Sequence, residues 1–278
     1  MGQHWPGGHR SVPGREAATL ALALATWPWP PSFPFLRACL LEVYAELGLA
    51  AEPPVLDLAC GDGRFAQALV ERGVILRIDA ALERSPADAA AARRSGVPVV
   101  LGDLSALPFA DRAAGTVLCN TALNCLWGGP AALPGVLGEI HRVLRPGGRI
   151  VASMHVRAHD QLLTGVRLLR GLGLGKAARR YAERVNRENG RTIHLEPEDW
   201  RKALEAAGFV VERTRPLVDA RAMRARSLLR LVKFVRPRGL ARLVTRRLLT
   251  GLMAPLIDAV PQEGEPTAFL VLVARRRD

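Results

Sequence analysis

Cysteine is scarce in this chain, and the four that occur, Cys39, Cys60, Cys119 and Cys125, form no Cys-x-x-Cys pair and no zinc-ligand spacing. This excludes a disulfide framework and a structural zinc site as organising devices, so reduced thiols and no metal ligands are expected. Uninterrupted apolar runs of about twenty residues, the length a membrane-spanning helix needs, are also missing. Aromatic residues make up only 5% of the chain, and no segment repeats another. Acids are outnumbered, with 26 against 39 lysines and arginines.

What is present is an ordinary globular composition, about half apolar and a quarter charged, over 278 residues. That length suits one α/β domain with additions. The net charge of +13 is unevenly placed: residues 213–247 hold twelve basic residues against the single acid Asp219, a local +11. An exposed segment of this kind attracts phosphates, on lipid headgroups or on nucleic acid.

Residues 1–34 are rich in Gly, Pro and Trp and read as a flexible arm, apart from the apolar stretch 17–25. From residue 35 onward a single domain is expected. Leu36, Leu40, Val43, Tyr44 and Leu47 recur at helical spacing over 35–49. Short apolar runs then alternate with helical stretches, the pattern of a parallel sheet with crossover helices. The expected strands are 55–58, 74–79, 97–101, 116–120 and 149–154, with helices at 64–72, 85–94 and 133–144. A basic, glycine-containing stretch (167–187), a helix at 198–207 and strands at 209–213 and 268–274 complete the chain.

The segment VLDLACGDGRFA, residues 55–66, is an apolar strand running through a glycine turn into a helix. Such a junction puts backbone N–H groups and a helix N-terminus at the carboxyl end of a strand, where open α/β sheets bind ligands. Gly61 and Gly63 allow close approach and φ values closed to other residues. As a GxGxxG nucleotide loop the spacing fails at Ala59.

The segment instead resembles motif I of class I S-adenosylmethionine-dependent methyltransferases, usually VLDxGCGxG. Alanine for glycine at 59 is a mild departure. VVLGDLSALPFAD (99–111) is similar to the family's GD…LPFxD segment, and EIHRVLRPGGR (139–149) to the helix and turn before its fifth strand. A Phe-Asp pair frequent before the fourth strand is replaced here by Ala114-Gly115. Together the matches point to the ubiquinone/menaquinone-biosynthesis-like group of small-molecule methyltransferases. The resemblance implies a Rossmann-like α/β fold: a mostly parallel seven-stranded sheet with an antiparallel last strand, helices on both faces, and a helical cap at about 216–260. It implies S-adenosyl-L-methionine as cofactor, bordered by Asp57, Ala59, Gly61 and Gly63. Asp79 is expected to accept from the ribose hydroxyls, Asp103 from the adenine amino group, Leu104 to lie against the ring, and Asn120 to face the cofactor. A cytoplasmic enzyme follows from this reading, and stretch 17–25 is accordingly not taken as a signal segment.

Methyl transfer from a sulfonium is an in-line displacement, so alignment and proton removal are the protein's tasks. His155 is the first candidate for a base, followed by His159 with Asp160 as an orienting partner, while His194 reads as structural. Neither Cys119 nor Cys125 follows a proline, which speaks against covalent cytosine chemistry, and no Asn-Pro-Pro-Tyr signature follows Asn120.

In the basic segment, Leu228, Leu231, Val232 and Val235 fall on one helical face with Arg226, Arg230 and Lys233 across from them. Leu240, Leu243, Val244 and Leu248 repeat the pattern with Arg242 and Arg246. A helical cap over the cleft, or contact with an anionic membrane surface, fits these stripes, and the shortage of aromatics argues against nucleic-acid stacking. The expected activity is methylation of a hydrophobic small-molecule acceptor such as a quinone, lipid or polyketide-like compound. An RNA methyltransferase and a non-catalytic cofactor-binding partner are the alternatives.

Overall fold

A computed structural model describes residues 14–27, 31–47, 51–231, 239–257 and 265–278. Seven strands form one sheet in the order β3-β2-β1-β4-β5-β7-β6. They are β1 (Val55–Leu58), β2 (Ala80–Glu83), β3 (Val99–Leu101), β4 (Ala114–Asn120), β5 (Leu144–His155), β6 (Phe209–Leu217) and β7 (Phe269–Arg276). Strands β1 to β5 are mutually parallel, and β7 runs antiparallel to both neighbours. Chain order reverses between β1 and β4, which opens a crevice at their carboxyl ends.

The sheet's centre is buried on both faces, with β1 buried at every position, β4 at all but the last and β7 at its first six, rather than at alternate ones. Along β7, Phe269, Val271 and Val273 enter one core cluster while Leu270, Leu272 and Ala274 enter the other, a period-two division that the pleat imposes. The first cluster lies under α1 (Arg15–Thr26), α2 (Ser32–Glu46), α3 (Arg64–Glu71) and the later cap helices. The second lies under α5 (Leu133–Val143) and α9 (Pro197–Ala206). Helix α4 (Pro86–Arg94) begins with a Ser85 side-chain cap on the Asp88 N–H, proline in its first turn and arginines in its last.

The arm expected over 1–34 is helical for much of its described length. Thr19, Leu20, Ala23 and Leu24 of α1 are buried, and the helix packs along α2. Its apolar stretch is core-forming, which composition dominated by neighbouring prolines concealed. Residues 1–13 and 28–30, Trp29 among them, lie outside the described residues. Glu42 holds this layer together: buried on α2, it accepts from Arg15 at 2.6 Å, from Arg72 at 2.8 Å and from the Thr19 hydroxyl.

The second strand also differs from expectation. Residues 74–79 are not strand; β2 begins at Ala80, and Leu56, Asp57 and Leu58 pair with Ala80, Ala81 and Leu82. The alternation of Val74, Ile75, Leu76, Arg77 and Ile78 mimics a strand, yet Ile75 is buried under the helices while Leu76 is 92% exposed. The stretch 167–187 folds as two helices, α7 (Thr164–Gly171) and α8 (Gly175–Glu188), after the short α6 (Ala158–Leu162).

Between β6 and β7 lie α10 (Ala220–Leu231) and α11 (Gly239–Met253). The face assignment within α10 is reversed: Arg226 is buried and Leu228 is 62% exposed. The helix turns its small residue Ala222, with Met223 and Leu229, into the core, and this fixes the rotation that carries Arg226 inward. Lys233, Val232 and Val235 lie outside the described residues. On α11, Leu243, Val244, Leu248 and Leu252 are exposed. Part of the basic excess is used internally: Arg213 donates to the Leu47 carbonyl and buried Arg215 pairs with Glu46 at 3.1 Å.

Gly115 explains the missing Phe-Asp pair. A Cβ there would come within 2.4 Å of the Glu52 carbonyl oxygen, so the backbone of 52–54 occupies the space a side chain would need. Gly115→Ala is expected to lower stability by about 3 kcal/mol. Gly138→Ala in α5, which meets no atom within 4 Å, is expected to raise it by up to about 1 kcal/mol. Urea unfolding midpoints of the two variants should move in opposite directions.

Candidate functional site

The crevice at the sheet's switch point opens into a cavity of about 400 Å³. Its floor is the turn after β1. Ala59, Gly61 and Gly63 all have positive φ, at 58°, 58° and 77°. For Ala59 this left-handed conformation costs about 1 kcal/mol, so the departure from glycine is less mild than its small side chain suggests. Gly63 is required by packing as well, since a Cβ would meet Ala92 and Val97 at 3.0 Å. The turn thereby delivers the start of α3 to the end of β1.

Beside it, Glu83 ends β2. One carboxylate oxygen accepts from the Gly61 N–H at 2.8 Å, and the other from the N–H groups of Arg84 and Ser85, each at 2.8 Å. Three backbone donors thus fix the carboxylate in the cavity wall and leave it acceptor capacity for a ligand hydroxyl. Asp79 does not take this place. It lies before β2, where it accepts from the Val55 N–H at 2.7 Å and from Arg77 at 2.6 Å, and it does not line the cavity. Sequence reading anchored on the wrong strand boundary and passed over Glu83. Its signal was present: an acid twenty positions after Gly63, directly before the Arg84-Ser85-Pro86 helix start.

At the end of β3, Asp103 and Leu104 both line the cavity. Hydrogen bonds from the Ser105 hydroxyl and N–H hold the Asp103 carboxyl below the usual range, helped by Arg84 at 3.7 Å. The following loop is clamped to α5 by Arg142, which donates to the Leu107 and Phe109 carbonyls and pairs with Glu139 and Asp111. Glu139 in turn accepts from the Leu107 N–H. The segments 99–111 and 139–149 are therefore one unit in space. Arg84 also stacks 4.1 Å from the centre of the Trp127 ring, forming a lip that sequence reading did not assign.

Asn120 at the end of β4 is oriented by two donors to its carbonyl oxygen, Tyr44 at 2.7 Å and Ser153 at 3.0 Å. Its amide nitrogen has no partner among the described residues. A buried donor left open in a cavity wall is a group awaiting a ligand acceptor. Asp57 sits behind the turn, and burial pushes its carboxyl up to about 7 against the opposing charge of Arg37. Trp27, Phe33 and Phe65 supply an aromatic wall on the helical side.

These groups fit an adenosylmethionine: a glycine cradle, a fixed carboxylate for a ribose diol, an acid and an apolar side chain at the next strand end, and a free amide donor. His155 does not join them. Its ring is buried 4.2 Å from that of Phe269, both ring nitrogens lack partners, and burial drives its pKa well below the usual value. His159 is likewise buried, bonded to Asp160 and Arg191, and pushed down to about 3. Neither lines the cavity, so the structure does not place them as bases. Burial raises the thiols of Cys60 and Cys119 to about 12, which keeps them un-ionised.

The sheet order and the antiparallel seventh strand are those of the Rossmann-like class I methyltransferase fold, and this cavity fits S-adenosylmethionine. Residues 56–152 match the family model described as a methyltransferase domain. The chain is 35% identical over 112 residues to a malonyl-[acyl-carrier protein] O-methyltransferase of Serratia marcescens, covering 38% of this chain and 41% of that one. It is 36% identical over 110 residues to a demethylmenaquinone methyltransferase of Mycobacterium sp. (strain JLS), covering 40% and 45%. The chain thus spans less than half the length of these two curated relatives. A geranyl diphosphate C-methyltransferase from Streptomyces coelicolor A3(2) shares the fold, with a TM-score of 0.58 at 14% identity over 97% of this chain and 88% of that one.

Glu83→Gln should weaken S-adenosylhomocysteine binding roughly tenfold or more in titration calorimetry, because it removes the charge that strengthens the hydrogen bonds to the ribose. Asp79→Asn should leave the affinity within about twofold, since it touches only the strand's entry. The reverse ranking would restore Asp79 as the ribose acid.

Proposed function

We propose that the protein transfers a methyl group from S-adenosylmethionine to a hydrophobic small-molecule acceptor, a quinone, lipid or polyketide-like compound, at oxygen or carbon. The observation that carries this reading is a second, largely apolar cavity of about 780 Å³ bounded by α2, α7, α8 and α10, which shares Phe33 with the first. An acceptor held there borders the donor site.

When bound, S-adenosylmethionine supplies an electrophilic methyl on a sulfonium and departs as a neutral thioether. The chain's residues hold the two partners. Glu83 and the Gly61 turn fix one end of the donor site, Asn120 presents its amide, and Phe33 stands where the cavities meet. Among the described residues neither cavity is lined by a histidine. This favours an acceptor acidic enough to react as its anion, such as an enol or phenol, over an alcohol needing a strong base.

No helix among the described residues is long and apolar enough to cross a membrane. The exposed Leu243, Val244, Leu248 and Leu252, with Arg247 beside them, support peripheral contact with an anionic membrane surface as part of the same reading.

With tritiated methyl donor and an extract of low-molecular-weight metabolites and RNA, label should enter the organic phase on partition. Label recovered in precipitated RNA would overturn the small-molecule reading. Flotation with phosphatidylglycerol vesicles should fall several-fold for Leu248→Asp/Leu252→Asp, and equal flotation would remove the membrane from the proposal.

A further inference from the structure

The second cavity is not uniformly apolar. Leu163, Leu168, Val185 and Leu228 give it greasy walls, but Arg226 and Arg230 of α10 also line it. Arg226 is only 8% exposed. Among the described residues its Nε has no hydrogen-bond partner, while Nη1 donates to the Met223 sulfur at 3.8 Å and the guanidinium lies 5.8 Å from the centre of the Phe269 ring. No carboxylate among the described residues pairs with Arg226 or Arg230. Burial, and then the neighbouring cations Arg230 and Arg191, push Arg226 down to about 9, and Glu188, the acid lining the cavity among the described residues, pairs with Arg184 at 2.7 Å. Arg191 is itself buried, pushed down to about 10, and bonded to His159 and Asn186 rather than ion-paired.

A buried guanidinium without an anion is costly, and proteins retain one where an anion completes it. The fork of a guanidinium matches the oxygens of a phosphate or carboxylate in a bidentate manner. The walls around it suit a hydrocarbon chain. Phe33, at the border with the donor cavity, puts whatever occupies this groove next to the methyl donor.

We infer that the acceptor is an anionic amphiphile, whose phosphate or carboxylate group is held by Arg226 and Arg230 and whose apolar body lies along α7, α8 and α10. This inference rests on the proposed methyl transfer to a hydrophobic acceptor, and it narrows that acceptor to a charged one. It also accounts for a buried arginine in a helix whose other inward residues are apolar: Arg226 is a specificity-determining residue and not a structural one.

Dodecyl phosphate, dodecanoate, dodecanol and inorganic phosphate, each below its micellar concentration, are the probes, titrated calorimetrically into the wild-type chain and into Arg226→Met. Dodecyl phosphate or dodecanoate should bind the wild type about ten- to a hundredfold more tightly than dodecanol does. Arg226→Met should erase that preference while binding dodecanol unchanged. Its melting temperature without ligand should equal or exceed that of the wild type, because the substitution removes an unmatched buried charge. Equal affinity for dodecanol and the two anionic probes, or a preference that survives Arg226→Met, would overturn the inference. Inorganic phosphate binding as tightly as dodecyl phosphate would also overturn it, reducing the site to a simple anion pocket. S-adenosylhomocysteine titrated into both proteins separates the two levels: a wild type that binds cofactor but shows no preference for the charged probes defeats this inference alone, whereas absent cofactor binding in the wild type defeats the methyl-transfer reading.

Discussion

The hydrogen bond from the Gly61 N–H to the Glu83 carboxylate is the constraint on which the donor site depends. It ties the turn after β1 to the end of β2, and the same carboxylate gathers the N–H groups that open the next helix. A single side chain thereby sets the positions of two adjacent loops, each of which supplies part of one cavity. Without it, two short four-residue strands would end in turns free to choose their own spacing. The left-handed conformation of Ala59 belongs to the same constraint: the turn must double back to bring Gly61 within reach, and the backbone accepts the strain.

Around that centre, the fold uses arginine as mortar. Arg142 fastens the loop after β3 to α5, Arg72 and Arg15 converge on Glu42, and Arg215 closes on Glu46. Arg142 reaches the Leu107 and Phe109 carbonyls and the Asp111 and Glu139 carboxylates at once, which a lysine could not do in the plane. A strongly basic composition is thus partly a structural choice. Only the remainder is available to act on partners, and Arg226 stands out because it is buried like the structural arginines yet lacks the acceptors that justify them.

The sequence was legible where chemistry is local. The glycine turn and the helices that begin near residues 64, 85 and 133 lie where the pattern puts them, and Asp103, Leu104 and Asn120 lie at strand ends along the cavity, because a turn or a strand end is specified by its own few residues. It was illegible where the outcome is settled by packing across the molecule. Residues 74–79 have the alternation of a strand, but pairing with β1 is made by β2 after them, so the acid that stands in the cavity wall is Glu83 and not Asp79. Likewise, the helical wheel of α10 gives hydrophobic and basic faces, but Ala222 and Met223 decide which face turns inward. His155 illustrates the same limit: its place after β5 suggests reach toward the crevice, whereas Phe269 and His159 enclose it.

Phe33 forms part of the wall of both cavities. An occupant of either one would touch the same ring, so two ligands bound together would be linked through a single side chain with no need for a moving domain. Linkage is reciprocal: whatever factor the first ligand contributes to the affinity of the second, the second returns to the first. Demethylated donor and methylated product would then loosen together, giving an order of release set by one aromatic residue in the first turn of α2.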